Sequence, residues 1–143
     1  MPLPRENRYA TLWAATVMTA LLAAPPVWAA DELPPPADRK IRFAKDVQPL
    51  FKKRCVECHS AKKKESGLRL DDRDEALNGG DSGPPWTAGE SADSLLIKYV
   101  AGLDPDVVMP PKGDRLTRQQ IAILRAWIDQ GAEWPTANPN DAP

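Results

Sequence analysis

Both cysteines of the chain and its only histidine fall within Cys55-Val56-Glu57-Cys58-His59. Two thiols at this spacing can each add to one of the two vinyl groups of a haem, and the adjacent imidazole is then carried beneath the iron. The pattern therefore implies one covalent haem c, with Cys55 and Cys58 as its thioether anchors and His59 as an axial ligand of the iron. Two other chemistries fit the same residue types. A redox dithiol uses C-x-x-C, but is expected where a strand meets a helix in an α/β pattern. A zinc site wants four nitrogen or sulfur ligands, and here there are three. In an oxidising compartment a bare pair would close into a disulfide.

The second axial position is reached by elimination. Of three methionines, Met1 and Met18 fall in the N-terminal apolar segment, which leaves Met109 in Val107-Val108-Met109-Pro110-Pro111. Its prolines restrict the backbone and favour an extended, preset loop, which a weak thioether bond needs. A lone methionine is otherwise a gap-filler of an apolar core, and that alternative stays open.

The elements that must position these groups are helices. Asp46 can cap a first helix running to about Arg54, with Val47, Leu50 and Phe51 at helical spacing and Pro49 tolerated in the first turn. Ser91–Ala101 reads as a second, stopped by Gly102. The third has the sharpest signals. Thr117 and Gln120 make a capping box, Leu116 and Ile121 a hydrophobic staple, and Ile121, Leu124, Trp127 and Ile128 share a face that ends at Gly131. A short helix from Asp72 to Asn78 is a weaker expectation. Gly79–Pro85 and Asp104–Gly113 are irregular loops. No alternating strand pattern and no repeat is visible, so the expected class is all-α, three to four helices with long loops around one haem.

Organisation follows from the ends. Residues 1–29 read as an export signal: Arg5 and Arg8, an apolar run from Ala10 to Ala24, then Pro25-Pro26 and small residues. The run falls short of the roughly 20 apolar residues that span a bilayer; left uncleaved, it would anchor the domain to the membrane. Residues 30–40 form a stiff proline-rich leader, 41–134 the folded domain, and 135–143 a disordered tail. The formal charge of −1 becomes −2 once Arg5, Glu6 and Arg8 are removed, too acidic for non-specific nucleic-acid binding.

Phe43–Trp134 resembles the planctomycete-type cytochrome c domain, a branch of the class I-like cytochromes c. The matching stretches are Asp46-Val47-Gln48-Pro49-Leu50-Phe51, Cys55–His59, Gly67-Leu68-Arg69-Leu70-Asp71, Gly79–Pro84, Ser94-Leu95-Leu96-Ile97, Met109-Pro110-Pro111 and Trp127–Ala132. The resemblance implies a cytochrome c fold with first and last helices crossing, His59 and Met109 as axial ligands, and electron transfer. Domains of that family often accompany much larger ones. With the chain stopping at Pro143, the expectation is a free-standing, periplasmic or otherwise exported electron carrier or small subunit, and not an enzyme.

A thioether favours reduced iron, so a His/Met pair raises the potential relative to two imidazoles. With both axial positions filled there is no open site for a substrate, which suits a carrier. The alternative is a haem subunit with a displaceable sixth ligand, acting on peroxide or small gases. A recognition domain with haem as a structural core is a third class. Lys52, Lys53, Arg54, Lys62, Lys63 and Lys64 flank the motif and could steer an acidic redox partner, or be a solvated surface. His59 is expected to donate its second ring nitrogen to a carbonyl. Trp86, Tyr99 and Trp127 are candidates for the pocket wall or plain core, and Arg69 for a haem propionate.

Overall fold

The computed structural model describes residues 32–136; the signal, residues 1–29, and all but the first two residues of the tail lie outside the described residues. A wide helical turn, Phe43–Val47, leads into α1, Gln48–Arg54; then come α2 (Arg73–Asn78), α3 (Leu95–Ala101) and α4 (Arg118–Asp129). Between α1 and α2 lies an antiparallel hairpin of two-residue strands, β1 (His59–Ser60) and β2 (Lys63–Lys64). The class is all-α with long loops, and the hairpin is an element the sequence pattern did not announce. Two residues per strand are too few to show alternation.

Local chemistry sets each boundary. The first helical turn begins three residues before Asp46, whose carboxylate reaches back to the Arg42 N–H at 2.8 Å and to the Arg39 guanidinium at 3.0 Å. Asp46 thus satisfies an orphan amide from inside the turn rather than standing at its N-cap. Asp72 accepts from the Glu75 N–H (3.0 Å) and starts α2. The second predicted helix is shorter than expected, because Ser91 is drawn away from capping. It is buried, and its N–H and hydroxyl bind the Asp129 carboxylate, both at 2.9 Å. Ser94 precedes α3, and Gly102 closes it at φ +72°, with the Leu103 N–H on the Lys98 carbonyl. The capping box of α4 is complete: Gln120 N–H donates to Thr117 Oγ1 (3.2 Å), and Thr117 N–H to Gln120 Oε1 (2.9 Å).

α1 and α4 meet through an aromatic cluster. Phe51 and Trp127 stand edge to face with centroids 5.9 Å apart, Trp86 packs on Trp127 at 4.8 Å, and Trp134 stacks on Phe43 at 4.1 Å. Trp127, Ile128, Leu124 and Ile121, the predicted face of α4, are all buried. Trp86 and Trp127 are therefore core.

The proline-rich leader lies along α4 instead of outside the packed unit. Ala37 N–H donates to the Ala122 carbonyl (3.0 Å), and Arg118 to the Glu32 carbonyl (3.0 Å). Arg125 donates to the Pro34 carbonyl. The Gln130 amide binds both ways, to the Ile41 N–H and the Arg39 carbonyl, each at 2.8 Å. Prolines lack N–H groups, so the leader is held largely by its carbonyls, a pattern that composition does not reveal.

Candidate haem site

The attachment motif continues the path of α1. Cys55 and Val56 N–H groups both reach the Phe51 carbonyl (2.9 Å), and Cys58 and His59 N–H groups reach the Cys55 carbonyl at 3.1 and 2.9 Å. Residues three and four apart on such a turn lie on one side, and Cys55, Cys58 and His59 all line one cleft. Its walls are mostly apolar: Leu68 and Leu70 after the hairpin, Leu95, Leu96, Tyr99 and Val100 of α3, and Leu116 before α4.

His59 is buried at 9% exposure. Both its backbone groups are bonded, the N–H to the Cys55 carbonyl at 2.9 Å and the carbonyl to the Leu70 N–H at 2.8 Å, and it stands opposite Lys64 in the hairpin. Its Nδ1 is buried with no hydrogen-bond partner among the described residues. The expected acceptor carbonyl is thus not found, and backbone bonds do the holding.

Met109 lines the same cleft, so the structure brings all four sequence-derived residues to one cavity. The Met109 N–H donates to the Tyr99 carbonyl at 3.0 Å. Upstream, Asp104 Oδ1 accepts from the Asp106 and Val107 N–H groups (2.9 and 2.8 Å), shaping the approach. The cleft lining also includes Gly80 and Gly83. Gly79 beside them has φ +80°, and a Cβ there would lie 2.5 Å from the Gly83 carbonyl, so the turn closes only without a side chain.

The donor set fits a covalent haem. Cys55 and Cys58 are not joined to each other. Burial pushes the Cys55 thiol up to about 12, which argues against a reactive redox dithiol. Among the described residues no cluster of three or more His, Cys, Asp or Glu could hold a metal, against the zinc reading. An apolar cleft lined by two thiols and an unpaired imidazole suits a macrocycle with an iron at its centre.

The other candidates sort clearly. Tyr99 lines the cleft. Arg69 is paired with Asp71 at 2.9 Å and lies 4.0 Å from Glu75, outside the cleft lining. That partner holds the Asp71 carboxyl below the usual carboxylate range, with the Ala61 N–H assisting. Lys63 and Lys64 are tied to Glu65 (3.5 Å) and Glu75 (3.0 Å), whereas Lys52, Lys53 and Lys62 are exposed without an ion-pair partner among the described residues. Arg54, counted in the sequence only as one of the flanking cations, is part of the cleft wall. Nothing but its place beside Cys55 could have signalled this.

Comparison with known proteins follows the same lines. Residues 55–113 match the family model described as Planctomycete cytochrome C. Among solved structures the chain is similar to Kuenenia stuttgartiensis hydrazine synthase, at 25% identity and a TM-score of 0.44 over 67% of this chain. This chain spans 16% of the length of that one. Among curated proteins no sequence matches. The expectation that the chain is not an enzyme is withdrawn; the solved protein it is similar to is named as a synthase. The domain is of an exported kind. Over residues 55–113 the chain is thus similar to planctomycete-type cytochrome c domains, and Cys55, Cys58 and His59 form a haem c attachment motif.

Proposed function

We propose that the chain is the haem c subunit of a redox enzyme, with His59 the fixed axial ligand and Met109 a displaceable sixth one. When bound, the haem supplies a one-electron iron centre. The chain's own part is to anchor it through Cys55 and Cys58, hold the His59 ring by its backbone, and exclude water with Leu68, Leu95, Leu96 and Leu116. The observation that carries this reading is the contrast in how the two ligands are held. His59 has both its backbone groups bonded, to Cys55 and Leu70, in a motif turn and hairpin, whereas Met109 has a single backbone hydrogen bond, in an irregular loop. A ligand so held can yield to a small molecule that reaches the metal from the loop side.

The test is the visible spectrum of the oxidised, haem-loaded protein. A methionine-to-iron charge-transfer band is expected in the wild type, bleached by added cyanide and missing in Met109→Ala. Absence of the band in the wild type would remove Met109 from the coordination sphere. A band that resists cyanide, together with a reduced form that resists carbon monoxide, would favour the second reading.

That second reading is single-electron transport, favoured by the presence of Met109 in the cleft, where it could fill the last position. Lys52, Lys53 and Lys62 would then face an acidic partner. Transfer rates that fall with ionic strength are expected of such docking.

A further inference from the structure

Arg54 is the last residue of α1 and immediately precedes Cys55. It lines the cleft, and its side chain is 20% exposed. One Nη1 donates to the Asp114 carbonyl at 3.4 Å and lies 3.8 Å from the Asp114 carboxylate. Its Nε is buried and has no hydrogen-bond partner among the described residues. A buried, unpaired guanidinium N–H is a local cost that stability alone does not explain. Asp114 itself is 91% exposed and lies on the loop that carries Met109. Among the described residues, the Arg54 bond is the only hydrogen bond between residues 110–115 and the rest of the chain.

We infer that Arg54 is a positioning residue that clips the Met109 loop to the end of α1 and thereby sets how readily the sixth ligand yields. The inference rests on Met109 being that ligand. The clip joins the segment carrying the fixed ligand to the segment carrying the displaceable one. Loosening it raises the share of molecules in which the sixth position is open. An exogenous ligand then binds more tightly overall, because its apparent affinity is its intrinsic affinity scaled by the open fraction.

The experiment is a titration of the oxidised, haem-loaded protein with imidazole, followed by loss of the methionine-to-iron band. Arg54→Gln is expected to lower the apparent Kd about fivefold, the effect of one long charged hydrogen bond at a partly exposed site. Arg54→Lys keeps the charge but loses the planar fork, and should fall about twofold. Asp114→Asn keeps the carbonyl acceptor and should change Kd by less than about twofold. Lys52→Gln removes a nearby exposed cation without touching the loop, and should leave Kd as it was.

Wild-type affinity in Arg54→Gln, with the band intact, overturns the clip while leaving Met109 as ligand. An equal shift in Lys52→Gln also overturns it, by showing a general charge effect. If Arg54→Gln does not fold, an unchanged Kd in Arg54→Lys decides against the clip. A wild type with no band defeats the Met109 reading and the clip together, a distinguishable result.

Discussion

The two walls of the cleft are built by different means. On one side, the motif turn and hairpin hold His59 through consecutive backbone bonds, and α1 packs on α4 through Phe51, Trp127 and Trp86. On the other, the segment from Leu103 to Arg115 has no regular structure, no buried side chain, and few bonds to its surroundings. The first wall is a frame and the second is a flap. Local opening free energies scale with buried contacts and protected hydrogen bonds. The difference therefore means that the loop carrying Met109 can open without disturbing the segment that carries His59.

The sharpest way to break this comparison is to damage each wall once. Trp127 is 1% exposed and touches three other aromatic rings, so Trp127→Ala should cost about 3–5 kcal/mol in denaturant unfolding. Met109 is half-buried, and in the haem-free protein Met109→Ala should cost no more than about 1–2 kcal/mol, below the range for a fully buried methionine. Equal losses would mean that the loop is part of the frame after all.

Next in size is the leader. Arg125 joins the Pro34 carbonyl to the hydroxyl of Ser91 (3.1 Å), which in turn binds Asp129. Arg125→Met keeps much of the side chain's apolar length and strands those acceptors, at a cost of about 1–3 kcal/mol. Proteolysis should then begin between residues 32 and 40. Cleavage first in the 103–115 loop, with the leader still protected, would show that the leader does not depend on Arg125.

Much of the frame was legible because its signals are local. The attachment motif is five residues long, the Thr117–Gln120 box spans one turn, and the α4 face has a strict helical period. What escaped was set at long range. Ser91 gave up its expected cap for Asp129, which is 38 residues away. Trp134, the last residue of the expected domain, stacks on Phe43 across most of its length. The leader was read as a stiff proline-rich segment outside the domain, yet its carbonyls find Arg118 and Arg125 on α4 and the Gln130 amide just after it. Within the site, Met109 could be found by elimination, but the role of Arg54 needed the loop brought beside it.

The smallest effect bears on the entry to the frame and depends on pH. The Arg39 guanidinium, with help from the Arg42 N–H, holds the Asp46 carboxyl below the usual carboxylate range. A carboxyl whose folded value is depressed stabilises the fold above its unfolded value, near 4, and loses that contribution as pH falls through the folded value. Asp46→Asn keeps a neutral acceptor for the Arg42 N–H but loses the charge, so at pH 7 it should cost about 1 kcal/mol. The gap between wild type and variant should narrow steadily below about pH 4. Arg39 is 47% exposed, so salt should screen its share of the effect and leave the share from the backbone N–H. The Asp71–Arg69 pair titrates in the same window, and the acid limb of Asp46→Asn should keep the slope that pair contributes. A variant whose stability runs parallel to the wild type from pH 7 to pH 2 would show that the Asp46 charge contributes nothing to holding the first turn.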